Sequence, residues 1–116
     1  MLVETRQAWR CWLARHHRSR REIWLISYKK GSGKRSLDYE SAVEEALCYG
    51  WVDGQIKGVD DEHYVTRFSP RRPRSNWSDS NRIRVRKLVE ARKMTKAGLA
   101  TLPADLLEEL GFEPAE

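Results

Sequence analysis

Apolar residues recur at the spacing of one helix face in three parts of the chain, and this pattern predicts three helices of two or more turns. The first covers residues 4–17. The second begins after Asp38 and the third after Ser78, and both residue types favour the N-cap position. Within the second helix, Glu44 and Glu45 are expected to lie mainly outside the apolar stripe.

Strand-like segments separate the helices. Residues 22–29 are almost continuously apolar, β-branched and aromatic, which predicts a strand with both faces largely covered. Gly50 stands where the end of the second helix needs a left-handed residue. Residues 51–57 and 63–68 then predict a hairpin, with Gly54 as a candidate bulge. This order of elements, completed by a short helix, predicts an α+β fold in which helices cover a small, mostly antiparallel sheet.

The length and charge of the chain bound its organisation and its partners. The 116 residues suit one domain spanning 1–116, in which residues 99–116 are predicted to form a short, helical and acidic tail. The tail helix is expected between Pro103 and Gly111, whereas residues 94–102 fit no single pattern. The net charge of +5 favours anionic partners, which could be a small anion, an acidic surface or a nucleic acid.

Cysteine usage and the N-terminus indicate the cellular context. Cys11 and Cys48 are widely separated and are predicted to be reduced and buried, as in a cytoplasmic protein. The first residues lack the pattern of an export signal, and no apolar run approaches the length of a membrane span. No metal or cofactor is expected, because the histidines and cysteines lack the spacing of a metal site and residues 31–34 lack that of a phosphate loop.

The densest basic stretch is residues 67–78, which hold four arginines, two prolines and an aromatic residue near each end. The prolines fix φ and exclude the interior of a helix or sheet, so we expect an extended segment that fans its guanidinium groups outward. Arginine suits bidentate capture of phosphate or carboxylate, and the aromatic residues add a stacking surface. The predicted ligand site consists of Trp51, Asp53, Arg67, Arg71, Arg72, Arg74, Asn76 and Trp77.

The aspartate of this predicted site has two interpretations. Asp53 could face the arginines of residues 67–74 as a carboxylate at the mouth of a cleft, or it could form a structural pair with one of them without any ligand. The arginine segment itself is either a binding surface or a solvated loop stiffened by proline, and Asn76 is expected to tether it. Trp51 and Trp77 are expected beside a surface pocket. The tryptophans expected in the core are Trp9, Trp12 and Trp24.

Two longer blocks carry a family resemblance. Residues 44–54 (EEALCYGWVDG) and 67–78 (RFSPRRPRSNWS), followed by MTKAG at residues 94–98, resemble the bacterial YdeI/OmpD-associated family. The resemblance implies a YjbR/CyaY-like architecture, related in shape to the frataxin type, and a bacterial origin. It also implies a loose link to bacteriocin protection and antimicrobial-peptide resistance, and it supplies no catalytic residues. Members of that family often continue with a longer tail where this chain becomes acidic.

Three functional hypotheses follow from these observations. The favoured one is a non-enzymatic domain that binds an anionic ligand in a cleft between the corner at residues 51–53 and the segment at residues 67–77. The second is a nucleic-acid-binding protein that uses two basic helices and the arginine-rich loop as one face. The third is a small enzyme with Asp53 as a general base acting on an arginine-held anion.

Overall fold

The computed structural model describes residues 1–72 and 75–112, and over these residues it has five helices and three strands. In chain order the elements are α1 (Arg6–His16), β1 (Ile23–Tyr28), α2 (Tyr39–Cys48), β2 (Trp51–Gly58), β3 (His63–Pro70), α3 (Asp79–Glu90), α4 (Lys96–Leu99) and α5 (Ala104–Glu109). The strands form one antiparallel sheet, so the predicted α+β class is confirmed. No helix within the described ranges is long and apolar enough to cross a membrane.

Local signals place the ends of the helices where the sequence predicts them. The carboxylate of Asp38 accepts a hydrogen bond from the backbone nitrogen of Ser41 at 3.0 Å, and Ser78 Oγ accepts one from that of Asn81 at 3.1 Å. Each bond satisfies a backbone donor that the first helical turn leaves free. At the other end of α2, Gly50 has a φ of +76°, the left-handed conformation that ends a helix.

The sheet has the strand order β1-β3-β2, so β3 is its central strand. The register between β2 and β3 shifts between Asp53 and Ile56, which confirms a bulge around Gly54. Trp51, the first residue of β2, pairs with Pro70, the last residue of β3. The start of β2 and the end of β3 therefore lie side by side, and we call this the Trp51 end of the sheet.

The helices pack against one face of the sheet. The ring centroid of Trp9 on α1 lies 5.2 Å from that of Phe68 on β3, and both side chains are fully buried. Val85 and Leu88 of α3 are also buried there. Leu106 and Leu107 of α5 belong to the same core cluster, so the segment after residue 99 contributes directly to the core.

The opposite face of the sheet is less covered than the sequence predicts. Strand alternation places Trp24, Ile26 and Tyr28 there, and each is only half-buried. The expectation that both faces of β1 are largely covered is met fully only on the face toward the helices, and the placement of Trp24 in the core is wrong. Trp24 is instead shielded by Lys57, whose Nζ lies 5.1 Å from the ring centroid. A long lysine side chain covers apolar surface while its charge stays in water.

Burial of α2 and exposure of α1 also differ from expectation. Residues Ala42 to Cys48 are all buried, including Glu44 and Glu45 at 2% and 1% exposure. The reason is that α2 contacts α1, α3, α4 and β2, so neighbours surround it on several sides. Cys48 is buried as predicted, whereas the prediction for Cys11 is wrong, because Cys11 is exposed on α1.

Candidate anion-binding cleft

The arginine-rich segment leaves the sheet at the Trp51 end and faces α4. The backbone nitrogen of Arg71 donates to the carbonyl oxygen of Gly50 at 2.9 Å, which fixes the start of the segment. A Cβ atom on Gly50 would lie 2.8 Å from both Ala97 O and Thr101 Cγ2, so the chain around α4 packs directly on this glycine. The arginine-rich segment and the residues that follow α4 form opposite walls of a cleft.

The cleft has a volume of about 440 Å³, within the range of small-molecule sites. One wall comes from the arginine-rich segment and the other from the connection between α4 and α5. Its lining residues are Arg71, Arg72, Ser75, Trp77, Ala100, Thr101, Leu102 and Pro103. The first wall is cationic and aromatic and the second is largely apolar, which suits a ligand that joins an anionic group to a flat or apolar body.

Arg71 is the centre of the cationic wall. Its Cζ lies 3.8 Å from the ring centroid of Trp77, so the guanidinium stacks on the indole. Its Nη1 donates to Ser75 Oγ at 3.3 Å, and Nη1 and Nη2 donate to the carbonyl oxygen of Asn76 at 3.5 and 3.4 Å. These bonds are long and go to neutral acceptors. Its Nε is buried without a hydrogen-bond partner among the described atoms.

Burial without a carboxylate contact has an electrostatic consequence. Desolvation lowers the pKa of Arg71 from its ordinary value, and the more distant charge of Asp53 offsets this only in part. The guanidinium still carries its charge at neutral pH, because the pKa of arginine starts very high. An anion placed in the cleft would supply the compensation that the described part of the chain does not.

Trp51 belongs to the core rather than to the cleft. Its side chain is 1% exposed, and its ring lies 5.7 Å from that of Trp12. Its Nε1 donates to the carbonyl oxygen of His17 at 3.3 Å. The expectation that Trp51 lines a surface pocket is therefore wrong. The physical reason is that the first residue of β2 points to the helix-covered face of the sheet, where α1 packs over it.

Asp53 is engaged by a tyrosine instead of an arginine. Its carboxylate accepts a hydrogen bond from the hydroxyl of Tyr39, at the start of α2. Burial of Tyr39 and this bond to Asp53 raise the pKa of Tyr39 to about 12, so the hydroxyl keeps its proton at neutral pH. Within residues 1–72 and 75–112, Asp53 makes no ion pair, so the interpretation of Asp53 as the structural partner of an arginine of residues 67–74 does not hold for Arg67, Arg71 and Arg72.

The remaining predicted residues divide between the cleft and other places. Arg72 and Trp77 line the cleft with Arg71, and Asn76 contributes only its backbone carbonyl group. Arg67 lies on the opposite face of the sheet, where its Nη2 pairs with Glu22 at 2.8 Å. Arg74 lies outside the described residues. Arg67 is separated from the other arginines because it belongs to β3 and points away from the buried Phe68 next to it, whereas Arg71 and Arg72 follow the end of the strand.

The apolar wall of the cleft was missed by the sequence argument. Residues 100–103 lie in a segment that showed no clear periodicity. A usable signal was Gly98, just before them, because a Cβ atom there would overlap the carbonyl oxygen of Cys48. A glycine is required for α4 to approach the end of α2 so closely. The paired glycines, Gly50 and Gly98, thus mark the contact that closes the cleft.

Most basic residues of α1 and α3, in contrast, already have acidic partners. On α3, Arg82 pairs with Asp105 at 3.0 Å and Arg86 pairs with Glu109 at 2.6 Å. The other ion pairs of the two basic helices are Arg84–Glu40, Lys87–Glu44, Arg6–Glu44, Arg6–Glu45 and Arg10–Glu45. Their charges are largely neutralised, so a nucleic-acid-binding face would have to rely on loop arginines.

Two of these acids form a buried glutamate cluster, which we define as Glu44 and Glu45 with Arg6, Arg10, Lys87 and Lys93. Glu45 accepts from Arg6 Nη2 at 2.6 Å and from Arg10 Nη1 at 3.0 Å. Burial alone would raise the pKa of Glu45, but the hydrogen bonds from Arg10 and Arg6 outweigh burial and hold that pKa below its ordinary value. The cluster ties α1 and α3 to α2, and each of its four cations already contacts a carboxylate.

Comparison with known proteins adds a family but no activity. A family model described as a domain of unknown function (DUF8412) matches residues 1–101, which include the sheet, the four helices α1 to α4 and most of the cleft. No curated protein and no solved structure matches the chain. The resemblance to the YdeI/OmpD-associated family and the YjbR/CyaY-like architecture stay predictions. Among the described residues, no group of three or more His, Cys, Asp or Glu side chains could hold a metal ion.

Proposed function

The chain belongs to the DUF8412 family, and from this premise we propose that it is a non-enzymatic binding domain whose cleft takes a small anion with a flat or apolar body. One observation carries the proposal. The guanidinium of Arg71 is stacked on Trp77 at the edge of a 440 Å³ cleft, and over the described residues it has no carboxylate partner. A partly desolvated cation in that position favours a bound anion.

The geometry suggests how the ligand is held. Phosphate or carboxylate oxygens would accept hydrogen bonds from the two Nη atoms of Arg71, in place of its long bonds to Ser75 and Asn76. Arg72 is exposed at the same wall and would add charge. Leu102 and the neighbouring residues of the apolar wall would contact the body of the ligand. Stacking on Trp77 holds the guanidinium in place beforehand, which lowers the entropic cost of binding.

A binding role accounts for these contacts better than catalysis by Asp53. Asp53 does not line the cleft, and its carboxylate is occupied by the hydroxyl of Tyr39. A general base must reach the proton that it removes, and a ligand held by Arg71 would lie in a different place. The proposal therefore assigns no reaction to the chain.

The resemblance to the YdeI/OmpD-associated family supports a biological setting for this role. We propose that binding of an anionic ligand contributes to bacteriocin protection or antimicrobial-peptide resistance in a bacterial host. The cleft is cationic, so direct capture of a cationic peptide is not the expected route. In a host whose survival under such a peptide depends on the chain, Arg71→Lys should remove the protection. Full protection by Arg71→Lys would contradict the link to the cleft.

The test of binding follows the arginine side chain directly. The ¹⁵N-labelled chain is titrated with phenyl phosphate, benzoate and inorganic phosphate while the arginine Nε–H signals are recorded by nuclear magnetic resonance. We expect a saturable shift of the Arg71 signal, which the Arg71→Lys variant identifies by its loss. Phenyl phosphate and benzoate should bind more tightly than inorganic phosphate, because only they reach the apolar wall. Comparison of these two shows whether the cleft prefers phosphate or carboxylate.

A matched variant separates the cleft from general charge effects. Arg67→Lys makes the same substitution at an exposed arginine that pairs with Glu22 on the other face of the sheet. It should leave the affinity for phenyl phosphate unchanged, whereas Arg71→Lys should weaken that affinity at least about tenfold through loss of bidentate geometry. Equal affinities of the two variants, or no shift of the Arg71 signal at millimolar ligand, would overturn the proposal.

A further inference from the structure

The connection between α1 and β1 carries a second set of basic side chains. We define the basic loop as residues 15–21, which are the last two residues of α1 and the first five of the connection that follows. Its four arginines are exposed, and none has an ion-pair partner in the described ranges. These arginines are Arg15, Arg18, Arg20 and Arg21. The basic loop therefore resembles Arg71 in lacking acidic partners and differs from the paired basic residues of α3.

The basic loop and the cleft lie at the same end of the sheet. The indole Nε1 of Trp51 donates to the carbonyl oxygen of His17, in the middle of the basic loop, at 3.3 Å. The rings of His17 and Tyr49 lie 5.0 Å apart. The next residue, Gly50, accepts the backbone hydrogen bond of Arg71 at 2.9 Å. Residues 49–51 thus stand between the basic loop and the cationic wall of the cleft.

We propose that the basic loop and the cleft together bind single-stranded nucleic acid, with phosphates along the loop arginines and one nucleotide in the cleft. This inference rests on the proposed function, because it uses Arg71 and the cleft as one of its two parts. The guanidinium of Arg71 stacks on Trp77 and both side chains line the cleft, so together they provide flat surface for stacking with a nucleobase. The loop arginines supply the charge that tracks a phosphate backbone.

Features of the surface favour a single strand over a duplex or a membrane. Proteins that read a duplex insert a helix or a β-ribbon into the major groove, and the basic side chains of α1 and α3 are occupied by acids. Binding to a lipid surface needs exposed apolar side chains next to the charges. The large exposed apolar residues of the described chain are Leu2, Tyr39, Ile56, Val59 and Ile83, and all lie outside the basic loop and the cleft.

The test measures fluorescence anisotropy of a labelled oligothymidylate of about ten nucleotides, a length typical for single-strand sites. For each tenfold rise in salt concentration, the logarithm of the binding constant should fall by about 0.7 per neutralised phosphate. This fall is the salt slope. The triple variant Arg18→Gln, Arg20→Gln, Arg21→Gln should reduce this slope by about 2, because three phosphate contacts are lost. An unlabelled duplex of the same length and polyglutamate serve as competitors, and both should compete more weakly than unlabelled oligothymidylate.

A triple variant on α3 controls for net charge. Arg82→Gln, Arg84→Gln, Arg86→Gln removes the same number of charges from arginines that have acidic partners. Its salt slope should match that of the original chain. An equal loss of slope in both triple variants would overturn the inference, since binding would then follow net charge alone. Equal competition by polyglutamate or by the duplex would also overturn it, in favour of an acidic protein surface or double-stranded nucleic acid.

Phenyl phosphate distinguishes failure of this inference from failure of the proposed function. If phenyl phosphate binds through Arg71 but oligothymidylate binds no more tightly than it, the cleft stands and the extended site is wrong. If oligothymidylate binds through the loop while Arg71→Lys changes neither its affinity nor that of phenyl phosphate, the proposed function fails, and the two-part site fails with it. Support requires that the loop and Arg71 variants each weaken oligothymidylate binding.

Discussion

Arginine occurs in two contrasting settings in this protein, the glutamate cluster and the cleft. In the cluster, Arg6 and Arg10 donate to the buried carboxylate of Glu45 at 2.6 and 3.0 Å. In the cleft, Arg71 has the ring of Trp77 and neutral oxygens at 3.3 to 3.5 Å. Both settings hold a guanidinium that is partly removed from water. Only the first compensates its charge with an acid from the described chain.

This contrast separates structural arginines from those that are available to a ligand. A buried charge needs a partner of opposite sign, and the free energy of removing one partner is large. Where the protein supplies the partner, the pair holds elements together, as Glu45 does for α1 and α2. Where the described chain supplies none, a ligand can take its place. Basic composition alone does not distinguish these cases.

Removal of the buried acid should have the largest effect on stability. Glu45→Gln leaves Arg6 and Arg10 without full compensation, and we expect a loss of about 3 kcal/mol in the free energy of unfolding. Urea denaturation monitored by circular dichroism measures it. Glu109→Gln breaks the exposed pair with Arg86 and should cost less than about 1 kcal/mol. Similar losses for both variants would contradict a special role for the buried cluster.

A methyl group added between the glutamate cluster and the cleft should have the next largest effect on stability. Gly98→Ala places a Cβ atom against the carbonyl oxygen of Cys48, at the end of the helix that carries the glutamates. The chain must move to relieve this overlap, which should lower the free energy of unfolding by about 2 kcal/mol. The movement should also displace the apolar wall of the cleft, so the affinity for phenyl phosphate should fall as well. Gly58→Ala is the control, since nothing lies within 4 Å of a Cβ atom there. Unchanged stability of Gly98→Ala would exclude the close contact.

Acid should weaken the cluster while the charge of Arg71 persists. The pKa of Glu45 is lower in the folded chain than its ordinary value of 4.5. The stability from its ionised form is therefore fully present above pH 4.5 and is lost as the pH falls through the lower folded pKa. Urea midpoints are measured from about pH 6 downward, so that the series covers the titration of carboxylates. The midpoint should decline less steeply with falling pH in Glu45→Gln than in the original chain. Parallel declines would assign the acid sensitivity to other carboxylates.

Replacement of Arg71 should have the smallest effect on stability and the clearest effect on binding. Arg71→Met keeps an apolar stem and removes a charge without an acidic contact in the described chain, so the free energy of unfolding should change by less than about 1 kcal/mol. Phenyl phosphate binding should be lost. The matched variant Arg10→Met removes a donor from Glu45 and should cost about 2 kcal/mol. A larger loss from Arg71→Met than from Arg10→Met would reverse the comparison.

Much of the fold follows from local patterns in the sequence. Asp38 and Ser78 predict two helix starts because an N-cap depends only on the next three residues. Gly50 predicts a helix end for the same local reason. The candidate site can be predicted in part in the same way, since the prolines and arginines of one short segment indicate that Arg71 and Trp77 lie at a surface. The structure of residues 94–102 was harder to predict, because α4 has only four residues and therefore shows no periodicity.

Local sequence is enough to predict most of the elements, their caps and an arginine-rich surface, because each depends on neighbours along the chain. Which charges lack a partner in the described chain depends on the three-dimensional packing. Arg6 and Glu45 are 39 residues apart, and Arg86 and Glu109 are 23 apart, so no local pattern indicates that they pair. Tertiary packing likewise buried Trp51 and placed Arg67 on the far face of the sheet. Burial and charge compensation are properties of residues brought together across the fold, and they single out Arg71.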